Sequence, residues 1–400
     1  MVFAQFMEIL PRHEFNTCVR RYILAHTEGD DRLRGFSCRD QFLCLAFAQL
    51  TFRESLRDIE TCLRAVGPKL DHAGFRGRVS HSTVFIVNRA EANQVHDWRI
   101  SADFAQVLIA QARKLCADEA LAVMLEQAVS ALDSMTIDLC LTLFPWAGLR
   151  GRRQFRRRKG AVKLHTLLDL RGNIPSLVHV PHGKFHDVTV LDHLPIEPGA
   201  FYVMDRGDVD FARRLRFTRH SAFFVTRAKR NLDDTRRTSR KVDKTTGLRS
   251  DQTITLAGVK SSRLHPDPLR RVSYHDAETD RRFVFLTNNF TIPALTVAGL
   301  YKSRWQVELF FKWIKQNLRI KTFFGTSENA VKTQVWIAIS TYVLVAILKR
   351  ELKVDRSLSA ILQILSLTLF EKTPVIQALN AEKTPDSDGR NLNQLTLFDL

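Results

Sequence analysis

The feature that most constrains the fold is a change of period near residue 129. Before it, residues 1 to about 125 carry apolar residues at helical spacing. From 129, the stretch VSALDSMTIDLCLTLF alternates and is rich in β-formers, which predicts a strand. AVKLHTLLDLRG predicts a second strand and IPSLVHVPHG a third, with a turn at Gly172 and Asn173. FYVMDRG predicts a fourth strand that ends in an acid, DFARRLRF a helix, and AFFVTRAK a fifth strand. A short helix fits residues 187–194. Three strands in a meander, then strands alternating with helices, imply an α/β domain.

The rest of the chain is organised around that domain. Asp40 to Phe52 reads as one helix, and Ser55, with Asp58 three residues on, opens another. A helix-turn-helix and an ordinary helical hairpin both fit this pair. Residues 230–290 interrupt the α/β pattern with a β-rich insertion. It starts polar and basic (NLDDTRRTSRKVDKTTGLR) and continues with TITLAG and the hairpin pair RRVSYHD and RRFVFLT. A long helix over 293–318 returns to the core, and further helices are expected at 327–351 and within 357–380. The expected division is therefore 1–125, 126–229 with 291–325, 230–290, 326–380, and a polar tail 381–400.

With 400 residues, the chain can bury more than one sizeable core. Its net charge of +18 favours a polyanionic partner, and nucleic acid is the commonest. The six cysteines form no CxxC pair, which suits reduced thiols in a cytosolic protein rather than a zinc site. His179, His182 and His186 lack a fourth ligand. The N-terminus has no secretory pattern. Trp336 to Leu348 is shorter than the roughly 20 apolar residues needed to span a bilayer, so a buried core helix is expected there and no membrane partner.

Residues 301–315, YKSRWQVELFFKWIK, hold the chemistry. At about 100° per residue, Tyr301, Arg304, Lys312 and Lys315 fall within about 40° of Glu308 on one helix, with Val307, Phe310, Phe311 and Ile314 behind. A carboxylate can hold a hard cation, while cations and a phenol suit phosphate oxygens. Two further acids occupy suitable places. Asp133 lies in the first strand, and Asp205 ends the fourth at the edge where open α/β sheets bind ligands. Asp138, five residues from Asp133, should face the other way, and Asp210 should cap the following helix. Three convergent carboxylates are what two-metal phosphoryl transfer requires, and magnesium or manganese fits an all-oxygen set. Trp305 lies beside the stripe, where it could stack on a base or pack in the core. The basic run 149–160, including Arg156, Arg157 and Arg158, is a candidate DNA contact. So are Arg236, Arg237, Arg240, Lys241 and Lys244.

These motifs resemble the DDE transposases of bacterial insertion sequences, specifically the "IS-four" family with its Y-R-E-K signature. The similarity rests on LDSMTIDLCLTLFPWA, AVKLHTLLDLRGNIP, FYVMDRGDVDF and YKSRWQVELFFKWIKQNLRIKTF. Tyr301, Arg304, Glu308 and Lys315 match the signature spacing; Met135 and Asp208 depart from common family residues. The resemblance implies an RNase H-like catalytic core with a β-rich insertion, preceded by a mainly helical N-terminal DNA-binding domain and followed by C-terminal helices. It implies that Asp133, Asp205 and Glu308 bind two magnesium or manganese ions, and that Tyr301, Arg304 and Lys315 contact DNA phosphates. Lys163 and His165 belong to the resemblance too, which implies a place beside the active site. The implied partners are double-stranded DNA, as terminal inverted repeats and target, and a second copy in a synaptic homodimer. The implied activity is cutting of the element's ends and their joining to a target, in the bacterial cytoplasm at the nucleoid. A copy that only binds DNA, or an RNase H-like nuclease that does not join, would carry the same motifs.

Overall fold

The computed structural model describes residues 1–22, 36–67, 69–75, 96–117, 125–147, 159–181, 187–205, 210–317 and 323–380. Among the described residues, six helices precede the sheet: α1 (Val2–Glu8), α2 (Arg12–Tyr22), α3 (Cys38–Leu50), α4 (Leu56–Val66), α5 (Lys69–His72) and α6 (Trp98–Leu115). Strands β1 (Val129–Cys140), β2 (Lys159–Asp169) and β3 (Ile174–His179) follow, then a 3-10 helix, Asp187–His193. Next come β4 (Phe201–Met204), α7 (Phe211–Arg219) and β5 (Phe223–Arg227). The insertion holds β6 (Asp234–Arg240), β7 (Leu248–Leu256), α8 (Val259–Leu264), β8 (Leu269–Asp276) and β9 (Arg281–Thr287). The chain continues through α9 (Ala294–Ser303), α10 (Trp305–Asn317), α11 (Glu328–Glu351), α12 (Leu358–Thr368) and α13 (Val375–Asn380).

The nine strands among the described residues form one sheet, in the order β3-β2-β1-β4-β5-β9-β8-β7-β6. β1, β2 and β3 pair antiparallel, whereas β1–β4 and β4–β5 are parallel. This is an RNase H-like α/β core, the class expected from sequence. The insertion is not detached from it: β9 pairs antiparallel with β5, so the inserted strands extend the sheet of β1–β5. The turn between β2 and β3 uses positive φ at Gly172 and Asn173, the two residues that tolerate it best.

Helices from both ends of the chain share one core with one face of β1–β3. It joins Phe3, Phe42 and Phe104 to Met135, Leu164 and Phe310 and to the length of α11. The N-terminal backbone is tied to the C-terminal helices by Val2 N–H donating to Glu371 O (3.1 Å) and Phe3 N–H to Leu369 O (2.8 Å). α11 is the central helix of this core. It is long and apolar enough to cross a membrane, yet its most apolar stretch is entirely buried within the protein. It includes Trp336 to Leu348, where a core helix was expected.

α3 is capped by Ser37, whose side chain accepts from Asp40 N–H while the Asp40 side chain accepts from Ser37 N–H. Nearly all of α3 is buried, whereas α4 buries only Leu56, Ile59 and Leu63. Of the pair that fits a helix-turn-helix, only α4 has a broad exposed face.

Two expectations need correction. The single helix expected over 293–318 is two, because at Arg304 the bonding tightens to i→i−3. Arg304 N–H donates to Tyr301 O (3.2 Å), and Val307 N–H to Arg304 O (3.1 Å). And the polar stretch after residue 230 contains a strand, β6. As the sheet's edge, nearly all exposed, it needs no apolar alternation.

Candidate active site

The parallel pairing of β1 with β4 ends at Leu132 opposite Met204. Asp133 and Asp205 are each the next residue, so the two carboxylates leave neighbouring strands side by side at the carboxyl edge. Beyond Leu132 the edge of β1 is no longer covered by β4, and α10 lies against it. Val307, Phe310, Phe311 and Ile314 on α10 share a core with Met135 and Ile137 on β1. Each such buried side chain contributes about 1.5–3 kcal/mol, which fixes the helix and turns Glu308 toward the cleft.

The groups then meet through hydrogen bonds. Arg304 Nη1 donates to Asp133 Oδ2 at 2.7 Å, and Nη2 to Glu308 Oε1 at 2.5 Å. The Tyr301 hydroxyl donates to Asp205 Oδ1 at 2.9 Å. The Arg304 side chain is 15% exposed, against 25% for Asp133 and 54% for Glu308. A cavity of about 530 Å³ beside them is lined by Asp133, Ser134, Thr136, Glu308, Lys312 and Lys315. The expected row of cations around one carboxylate is therefore present, although the helix breaks within it.

Burial is the largest influence on Asp133 and pushes its carboxyl above the ordinary range. The Ser134 N–H and the Arg304 charge oppose that, and the Glu308 charge adds to it. Burial and then the Asp205 charge push the Tyr301 phenol up to about 12. Burial works against the Arg304 charge but is outweighed by Tyr301, Asp133 and Glu308, which hold the guanidinium protonated.

The donor set, three carboxylates, suits a hard divalent cation. Yet among the described residues no three acidic, histidine or cysteine side chains stand close enough to hold one ion as they are. Arg304 instead bonds one oxygen of Asp133 and one of Glu308, and Tyr301 one oxygen of Asp205.

Other expected residues lie elsewhere. Lys163 and His165 sit opposite Thr136 and Ser134 on β2. Strand alternation points them to the sheet face away from Asp133, because Asp133 shares its side with Met135 and Ile137. The His165 ring instead neighbours His179 (6.4 Å between centroids), which stacks on His193 (5.5 Å). The structure does not bring this pair to the triad. Asp138 is exposed on that other face. Asp210 caps α7, accepting from Arg213 N–H, and pairs with the Arg213 guanidinium. Arg156, Arg157, Arg158, His182, His186 and Asp208 lie outside the described residues. Trp305 is 54% exposed and borders a second cavity of about 290 Å³, walled by Tyr274, Phe283, Phe285 and Tyr301.

Two features were missed in the sequence. Phe283 and Phe285 stack at 5.9 Å and form the aromatic wall next to Tyr301; their spacing of two in RRFVFLT was the available signal. Arg214, fully buried on α7, donates to Thr226 Oγ1 (3.1 Å), whose hydroxyl donates to the Asp205 carbonyl (3.4 Å). No local pattern distinguishes this arginine from its basic neighbours.

The family profile described as "Transposase DDE domain" matches residues 125–344, and a "Domain of unknown function (DUF4372)" matches residues 1–76. The chain belongs to the DDE transposase-domain family. Among its relatives is a protein of Sinorhizobium fredii that bears the name "Putative transposase y4zB", 33% identical over 238 residues, which are 58% of this chain and 66% of that protein. Another, from Geobacillus stearothermophilus, is named as a probable transposase for insertion sequence element IS5377. It is 32% identical over 57% of this chain and 58% of its own length. The chain thus spans less than two thirds of these relatives. A solved piggyBac transposase synaptic complex with hairpin DNA overlaps 95% of this chain and 82% of that chain, at 10% identity and a TM-score of 0.45. That overlap is too loose to locate side chains. In this DDE transposase-domain protein the matched region covers the nine described strands and the cleft where β1 and β4 part.

Proposed function

We propose that this chain is an insertion-sequence transposase that cuts element ends and joins them to a target by two-metal phosphoryl transfer. One observation carries the reading. Asp133 and Asp205 stand side by side where β1 and β4 part, and Glu308 is tied to Asp133 through Arg304. Bonds to phosphorus exchange in line at such a site, without a covalent enzyme intermediate.

Asp133, Asp205 and Glu308 would hold two magnesium or manganese ions, which when bound activate the attacking oxygen and stabilise the leaving one. The protein's own groups do the rest. Lys312 and Lys315, lining the cleft, bind DNA phosphates as point charges. Arg304 and Tyr301 orient the strand with a fork of N–H groups and a phenol that stays protonated at neutral pH. Trp305, exposed beside an aromatic-walled cavity, stacks on a base drawn from the duplex. The helical N-terminal part and the basic run with Arg156, Arg157 and Arg158 add contacts to the terminal repeats. Pairing of two ends implies a homodimer, and the reaction belongs in the bacterial cytoplasm at the nucleoid.

The test is Glu308→Ala with a duplex bearing the element's end. Metal-dependent cleavage should vanish while end binding persists; cleavage at the unaltered rate refutes the assignment. Cleavage without joining would identify a nuclease, and DNA binding without any cleavage by the unaltered protein would identify a binding protein.

A further inference from the structure

We infer that Arg304 is a tethered counter-ion that keeps divalent metal out of the acidic site until a DNA phosphate draws it away. This positioning role deepens the reading above and rests on it. The guanidinium is not merely near the acids. It donates to Asp133 Oδ2 and Glu308 Oε1 at the same time, while Tyr301 holds Asp205 Oδ1. One fork and one hydroxyl thus engage all three carboxylates, and among the described residues no three acids stand ready for one ion.

Charge balance explains why the arrangement is stable. Three carboxylates converging at a half-buried strand edge repel one another, and a cation has to stand among them. An arginine at 15% exposure supplies that charge from within the chain. A divalent ion must displace it, and the displaced guanidinium then needs an anion of its own. A phosphate diester presents the same bidentate geometry to the fork as a carboxylate does. Lys312 and Lys315 on the cleft wall provide the field that brings a phosphate there. The Arg304 backbone sits at the one-residue break between α9 and α10, so its side chain can swing without disturbing the buried face of α10. Metal uptake and DNA binding are then coupled, and by linkage each must strengthen the other.

The test is Mn²⁺ binding to the full chain, measured by calorimetry and by electron paramagnetic resonance. It is made without DNA and then with a short generic duplex at low salt. The unaltered protein should bind Mn²⁺ weakly alone and about tenfold more tightly with duplex, within the usual range of such couplings. Arg304→Ala should bind Mn²⁺ about tenfold more tightly than the unaltered protein without DNA, and duplex should then add little. Arg304→Gln, which keeps hydrogen-bonding capacity without charge, guards against misfolding and should do the same. If both variants bind Mn²⁺ within twofold of the unaltered protein in DNA-free solution, the counter-ion role is overturned. Adding Asp133→Asn to Arg304→Ala separates the two readings. If Mn²⁺ uptake survives that change, the ion does not sit at these carboxylates and the proposed catalytic site itself fails.

Discussion

The hydroxyl of Tyr301 donates to Asp205 Oδ1 at 2.9 Å, linking α9 to the end of β4 across 96 positions of sequence. Tyr301→Phe keeps the ring against Phe285 and removes only this bond. Stability should fall by about 1 kcal/mol, and single-turnover cleavage by about tenfold, because Asp205 loses an orienting partner. Urea unfolding and a cleavage time course measure the two effects. The same tyrosine gives an alkaline signature. Its phenol is raised from 10.0 to about 12 in the folded state, so the folded chain binds more protons than the unfolded one between those values. Stability contributed by the protonated phenol is therefore lost as pH rises through that window, and Tyr301→Phe should flatten the loss.

Asp133 predicts a dependence at the acid end. Burial raises its carboxyl, so the folded state holds that proton to a higher pH than the unfolded chain. Ionising the group costs folding free energy, and stability falls as pH rises from the ordinary carboxylate value through the raised one. Asp133→Asn removes that cost. In metal-free buffer its melting temperature should exceed that of the unaltered protein at neutral pH, by a gain on the order of 1 kcal/mol. The gain should vanish at pH values where Asp133 is protonated in both states. Thermal melts across pH check this, and an unchanged or lowered neutral melting temperature contradicts it.

Arg270 and Asp251 form a nearly fully buried pair between β8 and β7, with two hydrogen bonds at 2.9 and 2.8 Å. Arg270 also donates to Ile292 O at 2.7 Å, which pins the approach to α9. Arg270→Ala would leave Asp251 buried with less compensation and should destabilise the chain by about 3–5 kcal/mol. Changing both residues to well-packed apolar ones should cost much less. Guanidinium unfolding midpoints of the single and double variants decide it.

Lys315→Ala and Lys312→Ala remove cations from the cleft wall without disturbing buried apolar groups. Each should weaken DNA binding and reduce the slope of log affinity against log salt by about one. A titration at several salt concentrations reads this directly. A slope equal to that of the unaltered protein would place these lysines off the DNA path.

Much of this site was legible because its logic is one-dimensional. Asp205 ends an apolar strand, Asp133 sits in an alternating one, and helical spacing places Glu308 near Tyr301 and Arg304, a proximity that survives although two helices rather than one carry them. Residues such as Lys163 and His165 were harder to place. Strand alternation gives each pair a common side but does not say which side faces the acids until β1 and β2 are in register. The break at Arg304 carries no proline or glycine, so only the hydrogen bonds reveal it. β6 escaped because an exposed edge strand selects charge rather than apolar alternation. The burial of Arg214 is a tertiary fact that its neighbours Arg213 and Arg216, both only half-buried, do not foreshadow.

The ladder joining β5 to β9 has a mechanical consequence. Phe283 and Phe285, at the wall of the aromatic cavity, ride on the same hydrogen-bonded lattice that carries Asp205. The insertion therefore cannot hinge like a lid over the acids. Any widening to admit a duplex has to come from the helical side, with α10 swivelling about its junction with α9. Among the acids, only Glu308 would travel with that motion, leaving Asp133 and Asp205 as the stationary jaw.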